Sequence, residues 1–369
     1  MKNFIKPDWN NSNLNISATL AEFLGAKNNN STLPILKKEL KKNYKNIVFI
    51  CFDGMGINPL EINLNKNDFL RKNVVKTLTS TFPSTTTNAT TSLITNLLPL
   101  EHGWLGWSLH FNKIKQNVDI YLHANSVTGE KTDFEYPIVD NSNCYFDNTN
   151  SEYNITAILP GYVQTKKTEK VVIQTEDELF DNIKNICNKQ GKQFMYCYYP
   201  DPDSTMHEYG VSSKEAKEVI SCLNNKIEKL YNEVDDTLFI VTADHGQVDI
   251  NGYIEFYKDT DFNSLLEYPA FLDARTPAFI VKKGKEKEFE NLFTKKYGED
   301  FILYKSKDLI SQNYFGNKGE YSYLLGDYIA VGTYTHKLLL AHDRAQRFKG
   351  HHTSLTEEML VPLIMFSKK

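Results

Sequence analysis

A doubly wound α/β fold, with a mostly parallel sheet sandwiched by helices and a smaller α+β block inserted into it, is what the sequence predicts. Three observations carry that expectation. Apolar runs at 44–52, 194–199 and 238–242 have the length and the aliphatic or aromatic content of buried strands. Helical periodicity fills the interval between the second and third, which makes a βαβ unit and hence parallel strands joined by a right-handed crossover. Each run is followed within a few residues by an acid, Asp53, Asp203 or Asp244. The acids therefore fall at the carboxyl ends of the strands, where open α/β sheets bind ligands.

Taken in order, residues 17–43 carry short amphipathic helical signals interrupted by the polar run 28–31. After the strand at 44–52, the Ser/Thr-rich stretch 79–92 passes Phe82-Pro83 and runs into Leu93, Ile94, Leu97 and Leu98, a helix entered from a loop. Residues 108–170 are polar, punctuated by Asn, Asp and Tyr, and are expected to form long loops with a few short strands. Thr175 and Glu178 have capping-box spacing ahead of Leu179, Ile183 and Ile186. Ser212 and Glu215 repeat it ahead of Ala216, Ile220, Leu223 and Ile227. Between 250 and 345, strands are expected at 278–282, 301–304 and 328–335 and a Lys/Glu-rich helix at 285–297. Core motifs lie on both sides of this block, so the predicted organisation is a catalytic core of 1–249 plus 346–369 and an inserted cap of 250–345.

With 369 residues, 41% of them hydrophobic, the chain can bury a large core. A net charge of −4 gives no electrostatic footprint for nucleic acid or an anionic membrane, and only Arg71, Arg275, Arg344 and Arg347 offer guanidinium groups. Five scattered cysteines without a CxxC pair read as buried thiols in a reducing compartment. No run of 18 apolar residues occurs, and the opening MKNFIKPDWNNSN lacks a signal-peptide core. A soluble, cytoplasmic protein is expected. No feature of the sequence specifies an oligomeric state.

Histidines accompany the acids: His207 four residues after Asp203, His245 directly after Asp244, and His351-His352 near the C-terminus. A four-residue step places Asp203 and His207 on one face if a helical turn starts there, so both can reach one cation. Adjacent Asp244 and His245 point apart and can serve two. Carboxylates and imidazoles gathered at one sheet edge repel or sit desolvated unless cations hold them together. A two-metal phosphoryl-transfer site accounts for the whole set, and TFPSTTTN supplies a hydroxyl nucleophile. The threonine at the start of the helix is favoured, since amides there also stabilise phosphate. Trp104 and Trp107 are expected to serve core packing, with lining a substrate pocket as the alternative.

The segments FDGMG, FPSTTTNATTSLITNLLPLEHGWLGW, PDPDSTMHEYG, TADHG and GHHTSLTEEMLVPLI, in this order, resemble the alkaline phosphatase superfamily in its type I phosphodiesterase and nucleotide pyrophosphatase branch. The resemblance implies an alkaline-phosphatase-like fold holding two divalent ions, zinc first, with manganese, iron or magnesium as alternatives. One ion would be bound by Asp53, Asp244, His245 and the nucleophile, the other by Asp203, His207 and His352. Counting ten residues back from Asn96 places the nucleophile at Thr86, with Thr85 and Thr81 as alternatives. His352 is preferred to His351 because it directly precedes the small residues Thr353 and Ser354.

Two departures bear on substrate. Trp107 stands where relatives of the nucleotide pyrophosphatase type carry an asparagine that contacts the phosphoryl oxygen. The arginine that binds a dianionic monoester in alkaline phosphatases proper is absent after Thr86, and so is the sulfatase motif. The expectation is therefore a hydrolase of phosphodiester or nucleotide pyrophosphate bonds working through a phosphothreonine on a small anionic phosphoester. A phosphonate hydrolase or phosphomonoesterase of the same superfamily is the first alternative. A metal-stabilised binding protein without turnover is the second.

Overall fold

A computed structural model describes residues 4–369, so Met1–Asn3 of the N-terminal stretch read above lie outside the described residues. Seven strands form the central sheet: β1 (Asn46–Phe52), β2 (Val74–Thr79), β3 (Tyr153–Pro160), β4 (Glu169–Ile173), β5 (Lys192–Tyr199), β6 (Thr237–Thr242) and β7 (Leu360–Lys368). Their order across the sheet is β2-β7-β6-β1-β5-β3-β4. Among the neighbouring pairs only β7 runs antiparallel, to both β2 and β6. All seven residues of β1 are buried, as a central strand covered by helices on both faces requires. Asn46, the one polar residue of that run, donates Nδ2 to Thr237 Oγ1 at 3.1 Å and to the Cys187 carbonyl at 3.3 Å, while its Oδ1 is buried without a hydrogen-bond partner among the described residues.

Register decides where the acids emerge. Phe52 lies opposite Tyr199 and Cys51 opposite Thr242, so β1, β5 and β6 end at nearly one level. The residues that follow each strand leave by the same edge. Helices α1 (Leu14–Phe23), α2 (Pro34–Leu40), α3 (Thr86–Thr95), α4 (Glu176–Cys187), α5 (Asp203–Tyr209) and α6 (Lys214–Glu233) include those that flank the sheet. α4 starts at the predicted cap: Thr175 Oγ1 accepts from Glu178 N at 3.2 Å, while Glu178 Oε2 accepts from Gln174 N at 2.6 Å, one residue before the N-cap amide that a closed box would use. α6 is capped one residue later than its spacing indicated. Ser213 Oγ accepts from Ala216 N at 3.0 Å, whereas Ser212 donates to Asp249 Oδ2, which draws it off the helix axis.

Four strands of this sheet, β2, β3, β4 and β7, were not read from the sequence pattern. β2 alternates and is half-exposed along most of its length, and β4 is a short edge strand with one buried residue. β3 is more surprising, because the region 108–170 was expected to be mostly loop. Its first three residues, Tyr153, Asn154 and Ile155, alternate in burial without a clean period, and only Thr156–Pro160 are continuously buried. Long loops do fill much of the rest.

Within 250–345, Tyr328–Gly332 pairs antiparallel with both Ala278–Phe279 and Phe301–Lys305. Helix α7 (Glu286–Tyr297) lays Phe289, Phe293 and Tyr297 against Phe256, Phe262 and Phe279, an apolar cluster separate from the main core. A further cluster joins Trp104, Leu109 and Val118 to Phe271, Leu272 and Ile329. All five cysteines are free, and four are buried. Among the described residues no helix is long and apolar enough to cross a membrane.

Candidate metal centre

The three central strands bring the acids together. Asp53 follows β1, Asp203 opens α5 after β5, and Asp244 follows β6. Their backbones interlock: Asp53 N donates to the Tyr199 carbonyl and Asp203 N to the Asp53 carbonyl, each at 3.0 Å. Asp244 Oδ1 accepts from Gly54 N and His245 N at 3.0 Å, which aims the carboxylate at the sheet edge. Gly54 has φ 71°, and a Cβ there would sit 3.0 Å from Asp203 Cβ, so the turn needs glycine for both its conformation and its proximity. Burial, reinforced by Asp244 and Asp203, pushes the Asp53 carboxyl well above the usual carboxylate range. Burial likewise raises Asp203 to about 7, opposed by His245 and assisted by Asp244.

Each of three histidines turns Nδ1 to a main-chain carbonyl. His207 pairs with Gly350 O at 2.8 Å, His245 with Gly246 O at 3.0 Å and His352 with Ser84 O at 2.9 Å. A carbonyl accepts only, so Nδ1 carries the proton and Nε2 keeps its lone pair, the arrangement typical of metal-ligating imidazoles. The Nε2 atoms converge on the acids. His207 Nε2 is 3.4 Å from Asp203 Oδ2, His245 Nε2 is 3.3 Å from Asp53 Oδ1, and His352 Nε2 is 3.9 Å from Asp203 Oδ1. His207 and Asp203 meet because α5 begins at Asp203. His352 arrives because Gly350–His351 pairs antiparallel with Val248–Asp249, two residues past Gly246. Gly350 lies against α5, where a Cβ would stand 2.5 Å from the Met206 carbonyl. Burial lowers His207 to about 4 and depresses His352 strongly.

Thr86 is the first residue of α3. Its Oγ1 lies 3.4 Å from Asp53 Oδ1 and 3.2 Å from His245 Nε2. Asn88 N already donates to the Thr85 carbonyl at 3.1 Å, and the earlier amides of the first turn, at Thr86 and Thr87, are the ones a helix leaves for an anion. Thr85 instead reaches away, its hydroxyl 3.4 Å from Asp273 Oδ2. Thr81 Oγ1 is buried without a hydrogen-bond partner among the described residues.

The donor set suits divalent cations. Donor atoms lie within 4.8 Å of one another in three groups: Asp53, Asp244 and His245; Asp203, His245 and His352; and His207, His351 and His352. His245 links the first group to the second and His352 links the second to the third, so the aspartate-rich and histidine-rich ends are joined through shared imidazoles. Asp244 Oδ2 is buried with no hydrogen-bond partner among the described residues, an orphan that a cation would satisfy. Oxygen and nitrogen donors with free imidazole Nε2 atoms match zinc chemistry, with manganese and iron also compatible.

Several neighbours of the site escaped the sequence reading. Tyr198 donates its hydroxyl to Asp53 Oδ2, and Gln247 Nε2 donates to Asp203 Oδ1. From the inserted block, buried Asp273 faces His351, with Oδ1 at 3.3 Å from Nε2, and burial raises it to about 7. Arg275 and Glu358 form a fully buried pair at 2.8 Å, and Glu358 also accepts from Leu355 N at 2.8 Å just beyond His352. Asp273 ends an apolar pair, Phe271-Leu272, just as the core acids end theirs, a signal that was available in the sequence. Trp104 packs in the core as expected and also walls a cavity. Trp107 does not pack there: the residue is 37% exposed, and its side chain hydrogen-bonds Asp119.

The family model for type I phosphodiesterase / nucleotide pyrophosphatase matches residues 47–346. The chain belongs to this family. As a member of the type I phosphodiesterase and nucleotide pyrophosphatase family, it is 25% identical over 126 residues to ectonucleotide pyrophosphatase/phosphodiesterase family member 7 of Mus musculus, and equally to that of Rattus norvegicus. The match covers 28% of this chain and 29% of the length of those relatives. Among solved structures, murine ectonucleotide pyrophosphatase/phosphodiesterase 5 superposes with a TM-score of 0.64 at 18% identity, covering 87% of this chain and 88% of that one. An inactive threonine-to-alanine variant of the murine protein was solved with AMP. Phosphonoacetate hydrolase of Sinorhizobium meliloti superposes with a TM-score of 0.61 at 13% identity, covering 87% and 90%. These likenesses establish an alkaline-phosphatase-like family fold for the chain.

Proposed function

We propose that the protein is a metal-dependent hydrolase of phosphodiester or nucleotide pyrophosphate bonds that works by double displacement through a phosphothreonine. The observation that carries this is the place of Thr86 Oγ1, at a helix N-terminus and 3.2 Å from His245 Nε2, where the two ligand clusters meet. Asp53, Asp244, His245 and Thr86 would hold one ion, and Asp203, His207 and His352 the other. Bound divalent ions, zinc by preference, would favour the Thr86 alkoxide and neutralise the non-bridging phosphoryl oxygens.

Thr86 Oγ1 then forms a bond to phosphorus as the bond to the leaving oxygen breaks, and the departing group takes up a proton. Amides at the start of α3 hold the phosphoryl oxygens. Water attacks the phosphothreonine in a second in-line step and regenerates Thr86, with overall retention at phosphorus.

The phosphonoacetate hydrolase likeness keeps a phosphonate hydrolase as the second reading. Rates on bis-p-nitrophenyl phosphate, p-nitrophenyl phosphate and phosphonoacetate, measured on protein of known metal content, separate the two. Dominance of the monoester or of phosphonoacetate overturns the diester assignment, and zinc- or manganese-loaded protein inert on all three points to a binding protein without turnover. The same proposal places the protein in a reducing, cytoplasmic setting, supported by its free cysteines, and divides it into a core of 1–249 plus 346–369 and a cap of 250–345.

A further inference from the structure

We propose that Gln247 is a positioning residue that keeps Asp203 from bridging the two ions of the centre, so that a ligand position on the ion beside Thr86 stays open for the phosphoryl group. This rests on the two-metal diesterase reading above. Gln247 directly follows Asp244-His245-Gly246 and is fully buried. Its Nε2 donates to Asp203 Oδ1 and, at 3.2 Å, to the Asp203 carbonyl. A main-chain carbonyl only accepts, so these partners fix which end of the amide faces Asp203.

The other end of the amide makes no bond. Oε1 is buried with no hydrogen-bond partner among the described residues, and it faces Gly350, where a Cβ would stand 2.7 Å from it. A glutamine that served only to knit the interior would satisfy both ends, because an unpaired buried carbonyl lowers stability. Here both donated bonds go to one residue, Asp203. Asn58 Nδ2 donates to the Gln247 carbonyl at 2.8 Å and steadies the backbone from which the amide reaches.

Asp203 is placed to bridge. Its Oδ2 lies 3.4 Å from His207 Nε2, whereas Oδ1 lies 3.9 Å from both His245 Nε2 and His352 Nε2. Ligands bonded to one zinc at about 2.0–2.2 Å sit roughly 3–4 Å apart, so Oδ1 is within reach of an ion held by either imidazole. In the ligand sets above His245 serves the ion beside Thr86, and His352 serves the other. A carboxylate free to use both oxygens would tie the two together. The Gln247 amide occupies Oδ1 with a buried hydrogen bond, which leaves Oδ2 to serve the histidine-rich site alone. A non-bridging phosphoryl oxygen then meets no competing carboxylate at the Thr86 side.

The test loads wild-type, Gln247→Met and Gln247→Leu protein with two manganese ions and records electron paramagnetic resonance. Two apolar replacements of different length separate loss of the donor from a packing effect. A carboxylate bridge couples the two spins, so exchange coupling should be stronger in both variants than in the wild type. In a chelator titration of the zinc forms, the wild type should release its ions in two stages and the variants should release them as a pair. On bis-p-nitrophenyl phosphate, kcat should fall about 10–100-fold at unchanged metal content. Variants with wild-type coupling and two-stage release overturn the inference, even if they melt earlier or turn over more slowly, and leave the diesterase reading intact. Stronger coupling in the variants of a protein that cleaves no diester retains the role of Gln247 and removes the diesterase reading.

Discussion

Arg275 and Glu358 bury a full ion pair between the inserted block and the turn that follows His352. Arg275 Nε and Nη2 both lie 2.8 Å from Glu358 Oε1, and neither side chain is exposed. Glu358 Oε2 in turn accepts from Ser354 Oγ at 2.9 Å and from Leu355 N at 2.8 Å. The carboxylate thus ties the chain after the histidine pair, and the guanidinium balances it. Arg275→Met leaves Glu358 charged and buried, which should cost about 3–5 kcal/mol in denaturant unfolding. Arg275→Met with Glu358→Gln should recover part of that loss. An unchanged midpoint for the single variant would contradict the pair's role.

Thr86→Ala should lower diesterase kcat by at least roughly 10³-fold while both metals stay bound, because its remaining ligands are intact. Thr86→Ser should retain measurable turnover. Retention of most activity by Thr86→Ala, with unchanged metal content, removes Thr86 as the nucleophile.

His352 and His351 differ in what their Nε2 atoms face. His352 stacks on His245 with ring centroids 3.8 Å apart and approaches Asp203, whereas His351 faces Asp273. Elemental analysis should show close to one metal equivalent lost in His352→Asn and both kept in His351→Asn. The reverse result assigns the ligand to His351.

Tyr198→Phe removes the hydroxyl that Asp53 Oδ2 accepts from. Losing such an outer-shell partner should weaken metal binding by about 10–100-fold without changing the ligand set. Competition with a chelator of known affinity measures this, and an unchanged affinity shows that the hydroxyl does not orient Asp53.

Metal binding should depend on pH through Asp203, whose carboxyl burial raises to about 7. At pH 6 the metal-free protein holds that proton, and ligation must release it, so apparent affinity should rise with pH and level off above about 7. The stability sign follows from a folded value above the unfolded one of about 3.9. The contribution is fully present below the unfolded value and lost as pH rises through about 7. His207, lowered to about 4, acts oppositely and is fully neutral above about 6.5. Between about pH 6.5 and 8, metal-free protein should therefore lose stability with pH while loaded protein does not. Calorimetry in two buffers of different ionisation enthalpy reads the released proton, and equal proton release at pH 6 and 8 sinks the assignment.

Much of this architecture was legible in the sequence because its strongest physical signals are local. Apolar runs long enough to be strands set β1, β5 and β6, and the acid after each marked the sheet edge. The Asp203–His207 spacing identified one helical face. What stayed hidden depends on distant partners. β3 starts with exposed Asn154 and half-buried Ile155 before its continuously buried part, so no period announced it. Tyr198 looked like one more buried aromatic in a strand, and nothing local says that its hydroxyl ends on Asp53. Asp273 reaches His351 across 78 residues, and only the folded path of the inserted block brings them together.

The three Nδ1-to-carbonyl bonds of His207, His245 and His352 have an evolutionary corollary. A main-chain carbonyl makes no demand on its own side chain, so position 84 orients His352 through its backbone alone, whereas 246 and 350 are held to glycine by neighbouring carbonyls that a Cβ would meet at 2.3 and 2.5 Å. Selection must preserve the route of the polypeptide and those two glycines, and other positions nearby are freer to diverge. An 18% identity to a fold neighbour is then no obstacle to keeping such histidines aimed. The instruction for each tautomer is written in the trace of the chain.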